Sequence, residues 1–146
     1  MLIVLEGCDG VGKTTIARNL AQLMVGARII HCTAKTPNDY KFFKDIIDAS
    51  RYQNIIADRF CYGQFVYQSE EERHLTPAEL VQLELDMMEA GAKVIHVHAP
   101  ADEVKRRLRY RNEKTDLPVE EIMDRFIEVF EHSLERPMLW WTGGDI

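Results

Sequence analysis

The sequence predicts one α/β domain: a parallel sheet of about five strands, flanked by helices on both faces and opened by a phosphate-binding turn. Three observations predict it. Apolar runs of strand length alternate with segments of helical periodicity along the whole chain, the pattern of a parallel sheet with crossover helices. The first run, Leu2-Ile3-Val4-Leu5-Glu6, leads straight into Gly7-Cys8-Asp9-Gly10-Val11-Gly12-Lys13-Thr14-Thr15, which meets the pattern GxxxxGK[ST] between a strand and a helix. Finally, 146 residues suit one domain, enough to bury about two thirds of the unfolded surface.

Each element has its own signal. Ile16, Leu20, Leu23 and Met24 give a helical face from Lys13 to Met24, and Gly26 is placed to end it. Ala27 to Cys32 is a second strand. Pro37-Asn38-Asp39 starts the next helix, with Tyr40, Phe43, Ile46 and Ile47 on its buried face. Asn54 to Asp58 reads as a third, fully buried strand that ends on an acid. Arg59 to His74 is irregular but rich in aromatics. Thr76-Pro77-Ala78-Glu79 combines an N-cap, a proline at the first helical position and a capping-box glutamate. A helix therefore begins there, carries Leu80, Val81, Leu83, Leu85 and Met88, and closes at Gly91.

Lys93 to Ala99 is a fourth strand, and a basic helix follows from about Ala101 to Arg111 with Lys105, Arg106, Arg107 and Arg109. Asn112 to Leu117 is a polar loop. Pro118 opens the last long helix, in which Ile122, Phe126, Ile127, Phe130 and Leu134 share one face until Pro137. Met138 to Thr142 reads equally as an edge strand and as an irregular end. No repeat or linker divides the chain, so 1–146 is expected to be a single domain with a short arginine-bearing lid near 105–117.

This is the order of a P-loop NTPase-type three-layer fold, and each residue type in the first turn has a physical job. Glycines let successive backbone N–H groups surround phosphate oxygens, and the helix N-terminus adds partial positive charge. Gly7, Asp9, Gly10, Val11, Gly12, Lys13, Thr14 and Thr15 are the expected phosphate-binding residues of ATP, with Lys13 a mobile charge and Thr14 a ligand for Mg²⁺. Ligands in such sheets bind beyond the C-terminal strand ends, here marked by Gly7, Cys32, Asp58 and His98. Asp58 is expected to reach the metal through water. Asp9 either points at an acceptor or stabilises the turn with its own side chain, and spacing does not choose. Strand alternation leaves the direction of Glu6 open. The arginines after the fourth strand suit a lid that excludes water during phosphoryl transfer.

Composition narrows the function classes. A net charge of −6 gives no overall attraction to nucleic acid. No apolar run approaches the ~20 residues of a membrane span, so a cytoplasmic protein without membrane partners is expected. Cys8, Cys32 and Cys61 lack metal-site or disulfide spacing and read as small buried or site-lining residues. His96 and His98 fall on one side of a strand with no third ligand in view, so packing is expected rather than metal binding. Phe42 and Phe43 read as core.

A second stretch, Asp58-Arg59-Phe60-Cys61-Tyr62-Gly63-Gln64-Phe65-Val66-Tyr67-Gln68, taken with the first, resembles the thymidylate kinases of the P-loop nucleoside monophosphate kinase group. The resemblance implies that Arg59 binds the acceptor's phosphate and Asp9 its 3′-hydroxyl. It further implies that Phe60, Gln64 and Tyr67 line the acceptor, with Gln64 at the pyrimidine edge and Tyr67 against the sugar. Val11 carries no charge, so the catalytic arginine is implied to come from the lid, as Arg107 or Arg111. A homodimer through the helices beside the site is also implied. The chain is shorter than the family pattern between the second and third strands, where Phe43 and Arg51 stand without matching spacing for the family's stacking and clamping residues.

The expected function is therefore Mg²⁺-dependent transfer of the ATP γ-phosphate to a pyrimidine deoxynucleoside monophosphate, dTMP or a related or modified dUMP. A rival is a kinase acting on a hydroxyl of a modified pyrimidine in DNA, or of a deoxynucleoside, with Asp9 or Asp58 as general base. From another class, a nucleotide-binding switch would bind ATP without transfer. Lys13, Thr14, Asp58 and the arginines together favour transfer, because positioning and charge neutralisation are most of what phosphoryl transfer needs.

Overall fold

Leu2–Glu6 is buried at every position, as a strand covered by helices on both sides must be, and it forms the central strand of the sheet. In the computed structural model, which describes residues 1–143, the strands are β1 (Leu2–Glu6), β2 (Arg28–His31), β3 (Ile55–Asp58), β4 (Lys93–His98) and β5 (Met138–Trp141). They lie in the order β2-β3-β1-β4-β5 and every pairing is parallel. Register aligns the strand ends: Leu5 and His31 both pair with Asp58, Glu6 with His96, and His98 with Trp141. The segments that leave the strands thus emerge along one edge of the sheet, where an α/β site forms.

The helices are α1 (Lys13–Leu23), α2 (Tyr40–Ala49), α3 (Gln64–Tyr67), α4 (Pro77–Glu89), α5 (Ala101–Tyr110) and α6 (Val119–Glu131). Their starts follow the sequence signals. Asp39 caps α2 by accepting from the Phe42 N–H at 2.8 Å. At α4 the Thr76 hydroxyl accepts from the Glu79 N–H at 3.1 Å, and the Glu79 carboxylate accepts from the Thr76 N–H at 2.9 Å. Leu5, Ile47, Ile56, Leu83, Met87 and Ile122 are among the fully buried side chains of the core. Among the described residues, no helix is long and apolar enough to cross a membrane.

Some elements differ from expectation. Cys61–Gly63 is a 3-10 turn that runs into α3, so the aromatic stretch is ordered helical structure too short to show a period. The last helix stops at Glu131, six residues before Pro137: Ile122, Phe126 and Phe130 form its buried stripe, while Ile127 and Leu134 are exposed. On α4 the buried stripe is Leu83 and Met87, leaving Val81, Leu85 and Met88 on an exposed flank. Of the two readings of the tail, the strand is the one found, parallel to β4 at the edge of the sheet.

Candidate active site at the strand ends

The turn after β1 meets two backbone demands. A Cβ at Gly7 would sit 2.6 Å from the Val97 carbonyl oxygen, and Gly12 has φ +102° where α1 begins. Val11 is buried beneath the turn, and its N–H donates to the Cys8 carbonyl at 3.3 Å. Gly10, Gly12, Lys13, Thr14 and Thr15 then line a cleft of about 580 Å³.

Lys13 is folded into its own loop. Its ammonium donates to the Gly7 carbonyl at 2.7 Å and the Cys8 carbonyl at 3.1 Å, and it is buried. Burial pushes its pKa below the ordinary lysine range, while Asp58 and Glu6 pull it back up. The Thr14 hydroxyl donates to Asp58 Oδ2 at 2.9 Å, and His31 Nδ1 lies 3.1 Å from the same oxygen. Thr14 and Asp58 thus offer adjacent hard oxygen donors, a set that suits Mg²⁺.

Arg59 is the hinge of the site. It leaves β3 with φ +70°, a conformation rare for a residue with a Cβ, held by its N–H bond to the Leu5 carbonyl at 2.9 Å. Its guanidinium pairs with Asp9 and lies 5.3 Å from the centre of the Tyr67 ring. Of the two readings open for Asp9, the carboxylate reaches across the site rather than bracing the turn. Arg59 also lines a second, smaller cleft of about 130 Å³, together with Cys32, Phe60, Gln64, Tyr67 and Gln68. It is common to both spaces.

Several expected site residues are placed differently. Gln64 lines the smaller cleft but is buried, with both ends of its amide in use: Nε2 donates to the Asn38 carbonyl at 2.6 Å, and Oε1 accepts from the His74 N–H at 2.9 Å. Phe60 is buried edge-on against Phe43, with ring centres 4.8 Å apart, so both act mainly as core. Arg107 does not line the larger cleft. Its guanidinium is held outside the loop by Glu103, by the Gly10 carbonyl at 3.0 Å and by Thr142 at 3.3 Å. Arg111 does line that cleft. Buried Val104 and Leu108 seat α5 against Gly10, so freedom to move in this region would lie beyond Tyr110.

Other residues were missed. Arg18, one turn after Thr14 on α1, lines the larger cleft, and the four-residue spacing was the available signal. His31 beside Asp58 and Thr142 against Val11 depend on tertiary contact alone. Glu6, whose direction the sequence left open, is fully buried; its Oε2 accepts from the Gly63 N–H at 3.2 Å and its Oε1 has no partner. Burial raises its pKa to about 7, with Lys13 the largest opposing influence.

A prediction follows for Glu6. Because its folded pKa lies above the ordinary glutamate value of 4.5, the native state holds a proton there that the unfolded chain releases as pH rises from about 4.5 to 7. Stability from this group is full below that window and lost as pH passes through it. Glu6→Gln removes the titration while keeping an acceptor for Gly63. Its stability, read from melting, should match the parent's near pH 4 and exceed it near pH 8, by on the order of 3 kcal/mol at most. Equal pH profiles for the two proteins would refute this.

Burial raises the pKa of all three cysteine thiols, Cys32 to about 12, and all three are free. His96 and His98 pack against each other with tilted rings, centres 3.8 Å apart; His96 also meets Phe126 and Phe130, and burial lowers its pKa to about 3. Among the described residues no group of three or more His, Cys, Asp or Glu is placed to hold a metal ion.

No protein-family model matches the chain. The SPbeta prophage-derived uncharacterized protein YorR of Bacillus subtilis (strain 168) is 31% identical over 149 residues, an alignment covering 97% of this chain and 89% of YorR. The crystal structure of B. subtilis YorR in complex with phosphorylated GDP superposes with a TM-score of 0.81 at 27% identity, over 96% of this chain and 85% of that one. A probable thymidylate kinase of Thermoplasma acidophilum is 29% identical over 87 residues, 56% of this chain and 39% of that protein. Deoxyadenosine kinase from M. mycoides shares the fold, with a TM-score of 0.58 at 15% identity, over 98% of this chain and 90% of that one. The architecture is that of the P-loop kinases.

Proposed function

The chain belongs to the family of the B. subtilis prophage protein YorR, and on that footing we propose that it is a phosphotransferase, moving the γ-phosphate of ATP to a nucleoside monophosphate. The observation that carries this reading is Arg59, which stands at the junction of two clefts and belongs to both. A donor triphosphate in the larger cleft would lie along the backbone of Gly10 to Thr15 and draw Lys13 off the Gly7 and Cys8 carbonyls. An acceptor in the smaller cleft would present its phosphate to Arg59, oriented by Asp9. An acceptor phosphate oxygen attacks the γ-phosphorus, the bond to the β,γ-bridging oxygen breaks, and ADP leaves. That acceptor is already an anion, so no general base is required.

Thr14, and Asp58 through water, would hold Mg²⁺, which when bound neutralises charge on the phosphoryl oxygens. Arg111 is the arginine we assign to the transferring group. The polar loop near 111–117 is the assigned lid, and a homodimer belongs to the same reading, to be tested by sedimentation.

For the acceptor we propose a pyrimidine deoxynucleotide, dTMP or a modified dUMP. The smaller cleft is lined by Phe60, Gln64 and Tyr67, the positions that the thymidylate-kinase resemblance sets around a pyrimidine and its sugar. A guanine nucleotide is the second reading, favoured by the phosphorylated GDP in the YorR crystal structure.

The test is Mg²⁺-dependent ADP release from ATP with dTMP, dUMP, dCMP, dGMP, GMP, deoxynucleosides, and DNA carrying hydroxymethylated pyrimidines. Release with a pyrimidine monophosphate alone supports the primary reading. Release with dGMP or GMP moves the acceptor to a purine. Turnover only on a nucleoside or DNA would sink the monophosphate reading and make Asp9 and Asp58 the candidate bases.

A further inference from the structure

Much of the smaller cleft is lined by one stretch of chain, Arg59 to Gln68, which contains α3. That helix is a single turn, too short to hold its own shape in water, so its place is set by what packs against it. The Gln64 amide fixes its start, through Asn38 and His74. Its end is held by α6. The Tyr67 ring stands edge-on to Phe126, with centres 5.9 Å apart, and the Arg125 guanidinium donates through Nη1 to the Val66 carbonyl at 3.0 Å. The last helical bond of α3 runs from the Gln68 N–H to the Gln64 carbonyl at 3.1 Å, which leaves the Val66 carbonyl for a side chain to satisfy, and Val66 is fully buried. Arg125 Nη2 donates at 2.8 Å to Glu121, one turn earlier on α6, so the guanidinium is tied on two sides. Arg125 lines neither of the two clefts. It faces a separate cavity of about 470 Å³, together with Phe65, Leu80 and Val129.

We propose that Arg125 is a positioning residue for the acceptor: by holding Val66 it keeps the next residue, Tyr67, beneath the Arg59 guanidinium, and so keeps Arg59 at the junction of the two clefts. This rests on the two-cleft reading of the site. Arg59 leaves β3 in a strained backbone conformation, with φ +70°, and its guanidinium is held by Asp9 and the Tyr67 ring. A shift of Tyr67 therefore moves the group that meets the acceptor's phosphate. The ion pair of Arg125 with Glu121 contributes little by itself, because both side chains are close to half exposed. The bond to Val66 is of another kind, a charged donor on a buried carbonyl that is left unpaired when the donor is removed.

The experiment measures initial rates and calorimetric binding of ATP, dTMP, dUMP, dCMP, dGMP and GMP with the parent chain, Arg125→Met and Arg125→Lys, alongside thermal melting. Since a misplacement of about 1 Å can cost about 100-fold, Arg125→Met is expected to raise KM and Kd for the monophosphates about tenfold, by the same factor for every base, while KM for ATP stays within about twofold. Arg125→Lys keeps a charged donor and should recover most of the loss. A lower melting temperature with no separation of monophosphate from ATP would mean a packing role alone and would overturn the assignment, as would equal losses for both substrates. Should Arg125→Met not fold, Arg125→Gln, shorter and uncharged, is held to the same criteria. A parent that turns over no monophosphate refutes the kinase reading; monophosphate binding by the parent and the variant then still decides the role of Arg125, and a parent that binds none overturns that role as well.

Discussion

Lys13→Met is expected to lower turnover by about 10³-fold or more while leaving the melting temperature unchanged or raised. The two halves of this result have separate causes. The ammonium is buried and held by two loop carbonyls, so the protein bears a desolvation cost that a methionine of similar length does not. Phosphate would repay that cost, since a full charge in a water-poor cleft counts most where charge develops in the transition state. Initial-rate measurements at saturating Mg²⁺ and acceptor, with melting on the same samples, check both. Turnover within tenfold of the parent would remove the phosphate site from this loop.

Arg111→Ala should be nearly as damaging, with kcat down by about 10³-fold or more, as for an arginine that meets a transferring phosphoryl group. Arg107→Ala should instead cost less than about tenfold in kcat and lower the melting temperature, since it removes the tie between Gly10, Glu103 and Thr142. The contrast is informative because the two arginines lie one helical turn apart on a basic stretch. If Arg107→Ala abolished turnover and Arg111→Ala did not, the arginine of the reaction would be the one outside the cleft, and the closed state would need a large rotation of α5. Measuring kcat and melting for both variants separates the cases.

Much of the architecture was legible because its signals are local. The glycine turn between Glu6 and Lys13, the capping box at Thr76 and the buried run ending on Asp58 each depend on residues within a few positions of one another. Where the reading fell short, the deciding contacts were distant. Leu134 belongs to the helical pattern, yet its N–H donates to Glu84 at 3.1 Å and α6 has already ended. Val81, Leu85 and Met88 have the right spacing for a buried face, but Leu83 and Met87 are the residues turned to the core.

The site divides in the same way. The glycine turn after β1, the acid and arginine that close β3, and the parallel α/β sheet were all legible in the amino-acid sequence. These follow from hydrogen-bonding geometry and apolar period, which a few consecutive residues encode. Which side chains are free to act was settled by the packing of the folded chain. It turned Glu6 into the core against Gly63, bound Gln64 to Asn38 and His74, held Arg107 outside the loop, and left Arg111 and Gln68 at the clefts. Availability depends on hydrogen-bond partners from segments far apart in the chain, and spacing along the sequence carries no record of which partner a polar group has met.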